Sequence, residues 1–242
     1  MPHAKTISGK DIDPRERLIF ALDVPSAEDA KERVQKLGDS VMFYKIGLQL
    51  FMAGGYFELL EWLREQKKKV FVDLKFFDVP QTVELAVEQL QERDVQFVSV
   101  HGNDPILAAA VRKKNGLKIL AVTVLTSLDQ SDLEDLGFKC SPKELVLSRA
   151  RRALKLGCDG VISSGLEASE LRADLGKSFL IVAPGIRPVQ NVEEDDQKRI
   201  MTPREAFLSG ADYIVVGRPL RDASDPKQAA EEIQSVILDI FS

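Results

Sequence analysis

The chain has 242 residues, of which 44% are hydrophobic, and its 33 Lys and Arg against 38 Asp and Glu give a formal net charge of -5. This mildly acidic balance lacks the basic footprint of a nucleic-acid-binding protein. No apolar run approaches the roughly 18 residues of a membrane span, and the opening residues lack the apolar core of a secretion signal. The two cysteines, Cys140 and Cys158, form no CxxC pair. We therefore predict a cytoplasmic protein that binds neither nucleic acid nor membrane, with Cys158 as a small buried residue.

Eight short apolar runs recur along the chain, separated by segments with helical spacing. Several are apolar throughout, which is typical of parallel strands covered on both faces. They occupy residues 18–24, 42–48, 70–76, 97–102, 118–126, 160–165, 179–186 and 213–219. Eight strand–helix units in this length match a (β/α)8 TIM barrel, and a doubly wound sheet is disfavoured because no GxGxxG motif follows any strand. We predict a single α/β barrel domain over residues 17–242, behind a flexible N-terminal arm of residues 1–16.

Two connections of the predicted barrel are long. Residues 127–141 contain SDLEDLG, which predicts a short additional helix, and residues 188–202 form a polar stretch that we interpret as a lid. Loops longer than about 12 residues in a compact domain are often functional. Both connections are therefore candidates for a role at the site.

Charged residues stand where the first three predicted strands end. Asp23 follows the first strand, Lys45 lies in the second, and Asp73 and Lys75 lie in the third. The carboxyl ends of barrel strands form the active face, and alternation along a strand places Asp73 and Lys75 on one side. The sequence therefore predicts a line of alternating charges at one mouth of the barrel, here called the charged line (Asp23, Lys45, Asp73, Lys75). A structural ion-pair network is the alternative, and the next acid, Asp78, could simply cap the following helix.

A phosphate site is predicted at the ends of the last two strands. Residues 183–188, APGIRP, and 216–219, VGRP, each place an Arg close after a Gly. Glycine lets backbone N–H groups approach an anion, and a guanidinium grips phosphate oxygens with two parallel hydrogen bonds. Barrels commonly bind phosphate with these two loops. Arg187, Gly217 and Arg218 are therefore candidate phosphate ligands, although a Gly turn with a surface Arg would also explain each loop alone.

The end of the fifth predicted strand carries two hydroxyl residues, Thr126 and Ser127. Their hydroxyl and backbone groups suit a polar heterocycle, but Ser and Thr are also ordinary at a strand-to-loop junction. His101, at the end of the fourth strand, is as well explained by backbone partners as by catalysis, so we assign it no role.

Several of these motifs resemble the orotidine 5'-phosphate decarboxylase family in its bacterial single-function form. The resemblance runs in order from the first strand to the last and covers nearly all the chain beyond the arm. One departure is Phe77, where the commonest family form has His; that position points away from the charged line, so we expect little effect. The matching pieces are ALDVP (21–25), YKIGL (44–48), FVDLKFFDVPQT (71–82), AVTVLTS (121–127), APGIRP (183–188), DQKRIMTP (196–203) and VGRP (216–219).

The resemblance implies decarboxylation of orotidine 5'-phosphate to UMP and CO2, without a metal or other cofactor. Lys75 is then the proton donor, and Asp73 and Asp78 flank the reacting carbon. The resemblance also implies a homodimer with shared active sites, in which Asp78 and Thr82 act in the site of the other subunit.

The same resemblance implies which residues hold the rest of the substrate. Asp23 and Lys45 bind the ribose hydroxyls, and the loop at Thr126 and Ser127 reads the pyrimidine. The remaining residues bind the phosphate side; they are Arg187, Gln197 (from the lid), Gly217 and Arg218.

Two other interpretations compete with this one. A Mg²⁺-dependent relative similar to 3-keto-L-gulonate 6-phosphate decarboxylase would share DxKxxD, but that family places an acidic ligand near the end of the second strand, where this chain has Lys45. A non-catalytic barrel that binds a phosphorylated ligand is the second competitor, and the intact charged line argues against it.

Overall fold

In this computed structural model, residues 9–187 and 200–241 are described, and their strands close into one parallel barrel in chain order. The strand β8 closes the barrel against β1, with Ile214 paired to Leu18. Each of the eight predicted apolar runs overlaps one strand, so the predicted (β/α)8 fold is confirmed. The strands are β1 (Leu18–Ala21), β2 (Phe43–Gly47), β3 (Lys69–Phe76), β4 (Phe97–Val100), β5 (Lys118–Val122), β6 (Gly160–Ile162), β7 (Leu180–Ala183) and β8 (Tyr213–Val216).

Helices surround the barrel, and several of them begin at residues with clear starting signals. Ser141 and Glu144 form a capping box at the start of the seventh helix, with Pro142 in its first turn, an arrangement that satisfies free backbone N–H groups. The short helix expected within residues 127–141 is present as the sixth. The helices are α1 (Ala27–Leu37), α2 (Leu48–Ala53), α3 (Tyr56–Glu65), α4 (Pro80–Glu88), α5 (Asp104–Arg112), α6 (Gln130–Asp135), α7 (Pro142–Lys155), α8 (Gly165–Leu175), α9 (Pro203–Leu208), α10 (Arg218–Arg221) and α11 (Pro226–Phe241).

The barrel interior is filled at its amino-terminal end by aromatic side chains. Phe43, Phe97 and Tyr213 each begin a strand, and their ring centroids lie 4.9 to 5.9 Å apart. A second, larger apolar core lies between the strands and the helices and includes Cys158, which is buried as predicted. Because the interior is filled at the amino-terminal end of the barrel, its open space lies at the carboxyl ends of the strands.

An ion-pair cluster lies at the amino-terminal end of the barrel. The carboxylate of Asp212, which is fully buried, accepts hydrogen bonds from Nη2 of Arg172 at 2.6 Å, Nζ of Lys10 at 2.9 Å and the backbone N–H of Ile181 at 2.8 Å. Arg17 donates to the carbonyl of Asp212 at 3.1 Å. Lys10 thus ties residues of the predicted N-terminal arm to the barrel; the division into arm and barrel at residue 17 stays a prediction.

Among the described residues, no helix has the length and apolar character needed to cross a membrane.

Candidate active site

A cavity of about 480 Å³ opens at the carboxyl ends of the barrel strands. Its floor is apolar, formed in part by Phe71 and Val215, and its rim is polar. Nine of the residues singled out from the sequence line it together. They are Asp23, Lys45, Asp73, Lys75, Thr126, Ser127, Arg187, Gly217 and Arg218.

The charged line is continuous in space. Nζ of Lys45 lies 3.2 Å from Oδ1 of Asp23 and 3.4 Å from Oδ2 of Asp73. Nζ of Lys75 lies 3.0 Å from the other carboxylate oxygen of Asp73. Positive and negative groups therefore alternate from β1 across β2 to β3, as the strand-end positions predicted.

The electrostatics of this line keep its two most buried members ionised. Burial alone would raise the pKa of Asp73, but the ammonium groups of Lys45 and Lys75, with hydrogen bonds from Lys75 and Ser99, lower it below its usual value. Burial would likewise lower the pKa of Lys45, but the carboxylates of Asp73 and Asp23 raise it above its usual value. Opposite charges at short range favour the charged forms, so the site offers fixed charges at neutral pH.

The path of β3 at Lys75 differs from the sequence-based expectation. We expected regular alternation to bring Asp73 and Lys75 to one side, but the pairing of β3 with β4 shifts between Val72 and Phe76. Lys75 has a positive φ of 48°. The two side chains do meet, through a local irregularity of the strand rather than a regular pleat, because a bulge re-aims the side chains that follow it.

The basic end of the cavity lies after β7 and β8. Arg187 is buried and donates to the carbonyl of Ile186 at 3.0 Å. Arg218 is the first residue of α10, and Gly217 precedes it at the N-cap position. Sequence reasoning missed Arg221, which also lines the cavity and donates to the backbone carbonyl of Asp23 at 3.4 Å. The sequence did indicate this residue, because Arg221 lies three residues after Arg218 and residues three apart share a helix face.

Ser99 is a second residue that sequence reasoning missed. It lies in β4, is fully buried, and its hydroxyl donates to Oδ1 of Asp73 at 2.8 Å. The detectable signal was a lone polar residue inside the apolar run FVSV, because buried hydroxyls are almost always hydrogen-bonded.

Two of the predicted site residues lie outside this cavity. Asp78 and Thr82 are exposed, and Oδ1 of Asp78 accepts from the backbone N–H of its neighbour Val79 at 2.6 Å. The alternative role of Asp78 as a helix cap is not observed, because Val79 holds the capping position of α4 and no side chain caps that helix. Of the predicted lid (residues 188–202), residues 188–199, including Gln197, lie outside the described residues; of the rest, Met201 pairs with Ile186 and Thr202 caps α9.

Large apolar side chains are exposed around α2, α3 and α4. Met52 is 79% exposed and Phe77 is 68% exposed. They share with Asp78 and Thr82 the side of the barrel formed by the segments after β2 and β3. The full set is Leu48, Phe51, Met52, Phe57, Phe77, Val79 and Leu85.

Within the described residues, no group of three or more His, Cys, Asp and Glu side chains is arranged to hold a metal ion.

A closed (β/α)8 barrel with fixed charges at one mouth and arginines after β7 and β8 is typical of barrel enzymes that act on small phosphorylated substrates. The family model described as "Orotidine 5'-phosphate decarboxylase / HUMPS family" matches residues 16–233. The chain belongs to this family.

Individual relatives agree with the family match. The chain is 60% identical over 236 residues to the orotidine 5'-phosphate decarboxylase of Methylococcus capsulatus, covering 98% of both chains. It is 49% identical to that of Nitrobacter winogradskyi, covering 90% of this chain and 91% of the relative. The crystal structure of the Lactobacillus acidophilus orotidine 5'-phosphate decarboxylase superimposes with a TM-score of 0.80 at 36% identity, covering 92% of this chain and 99% of that one.

Proposed function

We infer that the chain decarboxylates orotidine 5'-phosphate to UMP and CO2 in pyrimidine biosynthesis, as a carboxy-lyase. Family membership supports the reaction. The observation within the molecule that carries it is the charged line, in which Lys45 lies between two carboxylates and Lys75 contacts the second. This arrangement supplies fixed charge at the point where the reaction develops charge.

The chemistry of the reaction explains why such charges are needed. When the bond between C6 and the carboxyl group breaks, the electron pair stays on C6 in the plane of the pyrimidine ring, where no π-system delocalises it. The transition state is then stabilised by preorganised charge. We assign Lys75 as the group that faces C6: its ammonium stabilises the developing carbanion, transfers a proton to C6, and is reprotonated from water.

Asp73 has two roles in this proposal. Its carboxylate keeps Lys75 in place through the 3.0 Å contact, and it repels the carboxylate of the substrate before CO2 leaves. Because the pKa of Asp73 is lowered, this negative charge is present at neutral pH. Asp78 completes the charged surroundings of the reacting carbon.

The remaining residues bind the parts of the substrate that do not react. We assign Asp23 and Lys45 to the ribose hydroxyls, and Thr126 with Ser127 to the pyrimidine. Binding energy from the distant phosphate can align the charges and close a lid over the site. The phosphate ligands are Arg187, Gln197, Gly217 and Arg218.

We further propose a homodimer with shared active sites. Asp78 and Thr82 are exposed and lie outside the cavity of their own chain, among the exposed apolar side chains of α2 to α4. A partner related by a two-fold axis would cover this apolar surface and bring both residues to a neighbouring cavity. We place the enzyme in the cytoplasm and assign it no cofactor.

One assay separates this function from its two competitors. Purified protein treated with EDTA is incubated with orotidine 5'-phosphate, and UMP formation is followed by absorbance. We expect full activity, because Lys45 already supplies positive charge between the carboxylates. Activity lost on chelation and restored by Mg²⁺ would favour the 3-keto-L-gulonate 6-phosphate decarboxylase-like alternative, whereas binding without turnover would favour the non-catalytic barrel.

A further inference from the structure

The hydroxyl of Ser99 bridges the two charged residues of β3 that the proposed reaction uses. Its Oγ atom lies 2.9 Å from the backbone nitrogen of Lys75 and 2.8 Å from Oδ1 of Asp73. The directions of both bonds are fixed by chemistry, because a backbone N–H only donates and an ionised carboxylate only accepts. Ser99 therefore accepts from Lys75 and donates to Asp73, and its single proton is committed to the carboxylate.

The backbone that Ser99 holds is strained. Lys75 has a φ of 48°, in the left-handed region where residues with a side chain are disfavoured. Between the pairs Val72–Val98 and Phe76–Val100, the pairing register of β3 and β4 shifts. A strained conformation of this kind persists only where its surroundings fix it, and the hydrogen bond that the backbone N–H of Lys75 donates to Ser99 is one contact that does so at Lys75 itself.

We propose that Ser99 is a positioning residue of the decarboxylation, holding the Lys75 backbone in its bulge and fixing the Asp73 carboxylate beside the Lys75 ammonium. This inference rests on the proposed function, in which Lys75 is the proton donor. Ser99 is fully buried and does not line the cavity, so it acts through Lys75 and Asp73 rather than on the substrate. Its loss should slow the chemical step and leave substrate affinity largely intact.

Another buried serine of the barrel provides a matched control. Ser163 follows β6 and is also fully buried, but its hydroxyl faces Glu167, with Oγ 3.4 Å from Oε2. The described contacts of Ser163 include none with the charged line. Ser163→Ala therefore removes a buried hydroxyl at the end of a strand without touching Lys75 or Asp73.

The test compares Ser99→Ala, Ser99→Thr, Ser99→Cys and Ser163→Ala with the wild-type enzyme. For each, kcat and KM for orotidine 5'-phosphate are measured well below the unfolding temperature, with the Kd for UMP measured separately. For Ser99→Ala we expect kcat to fall roughly 10- to 100-fold, the range expected for losing a hydrogen bond to a charged group. KM and the Kd for UMP should stay within about threefold of wild type.

The two conservative variants separate hydrogen bonding from volume. Cysteine nearly preserves the size of serine but donates weakly, so Ser99→Cys should resemble Ser99→Ala. Ser99→Thr keeps the hydroxyl and should recover most of kcat; if the added methyl group prevents folding, the contrast of Ser99→Ala and Ser99→Cys with Ser163→Ala decides. An equal kcat for Ser99→Ala and Ser163→Ala, full activity of Ser99→Cys, or a rise in KM without a fall in kcat would overturn the inference.

This experiment also distinguishes failure of the Ser99 inference from failure of the proposed decarboxylation on which it rests. If the wild-type protein does not form UMP, or if Lys75→Ala keeps its activity, the proposed function fails. If both behave as expected and only the Ser99 variants match wild type, the positioning role alone is wrong.

Discussion

Nζ of Lys75 lies 3.0 Å from Oδ1 of Asp73, although the backbone at Lys75 is in the left-handed region with a φ of 48°. The two side chains differ in exposure, 35% for Lys75 and 10% for Asp73. The carboxylate of Asp73 is thus largely buried, whereas the ammonium group of Lys75 extends towards the cavity. In the proposed reaction, the more exposed ammonium of Lys75 would face the substrate, with the more buried carboxylate of Asp73 behind it.

Replacing Lys75 by Ala is expected to abolish decarboxylation while the protein stays folded. The variant removes both the proton donor and the charge that stabilises the carbanion, and general acid catalysis alone contributes about 10²- to 10⁴-fold. We expect less than about a hundredth of wild-type activity in the UMP assay, with an unchanged circular dichroism spectrum.

The matched control for this prediction is Lys118→Ala. Lys118 begins β5 at the opposite end of the barrel and is exposed, so its loss should leave kcat unchanged. A Lys75→Ala enzyme that keeps more than about a hundredth of wild-type activity would remove Lys75 from the catalytic step.

The barrel was predictable from sequence because its strands are buried on both faces. Such strands are read as continuous apolar runs, and charges that interrupt them stand out. Asp23, Lys45 and Asp73 were found in this way: Asp23 lies just beyond β1, while Lys45 and Asp73 interrupt the apolar runs of β2 and β3. Arg187 and Arg218 were found because each follows a glycine just beyond a strand.

The details that were missed depend on how strands pair in space. The bulge at Lys75 and the contact with Ser99 require the register between β3 and β4, which no local pattern in either strand specifies. Arg221 was missed because the VGRP motif ends at Pro219, two residues before Arg221, and the motif alone does not show that α10 continues to Arg221. The position of Asp78 outside its own cavity was not among the missed details: the family resemblance already implied that Asp78 acts in the site of the other subunit, and Asp78 is exposed and does not line the cavity of its own chain.

The lowered pKa of Asp73 predicts a specific dependence of stability on pH. Burial opposes ionisation, but Lys45 and Lys75 outweigh it, so the folded-state pKa lies below the value of about 3.9 in the unfolded chain. The stabilisation from ionised Asp73 is then complete above about pH 5 and is lost as pH falls through the folded-state pKa. The free energies of unfolding of wild type and Asp73→Asn, from urea titrations between pH 7 and pH 3, test this.

The informative quantity is the difference between the two proteins at each pH, whatever its sign at neutral pH. It should be constant from pH 7 to about pH 5 and then shift against the wild type as pH falls. A shift in favour of the wild type at low pH would mean that burial dominates and that the pKa of Asp73 is raised.

The buried cluster at the amino-terminal end of the barrel predicts a large loss of stability without a catalytic effect. Asp212→Ala leaves the guanidinium of Arg172 and the N–H of Ile181 without their carboxylate partner in a fully buried place. Removing one member of a buried ion pair typically costs about 3–5 kcal/mol. We expect a marked fall in Tm, with kcat near wild type at temperatures where the variant is folded.

Asp174→Ala is the control for that prediction. Asp174 pairs with Arg151 on the surface, with Nε 2.7 Å from Oδ2, and exposed pairs contribute little to stability. Its Tm should change far less than that of Asp212→Ala. Equal Tm shifts for the two variants would show that burial of the Asp212 cluster does not determine how much the cluster contributes to stability.

The shared-site proposal predicts that two inactive variants regain activity when mixed. Asp78→Ala and Lys75→Ala each remove one residue, and in the proposed dimer Asp78 acts in the site of the other subunit. A heterodimer then has one site with both lesions and one with neither. With random exchange between two-fold dimers, half of the dimers are mixed, so about a quarter of all sites should be restored.

Subunit exchange must be verified in the same mixture, for example with mass-tagged chains. A matched control is the pair Lys75→Ala and Asp73→Ala, whose residues lie in the same cavity, so that no mixed dimer contains an intact site and activity should stay absent. If exchange is complete and the mixture of Asp78→Ala with Lys75→Ala also stays inactive, Asp78 acts within its own chain. Its exposed position beside α4 would then require a movement of residues 77–82 towards the cavity instead of a partner.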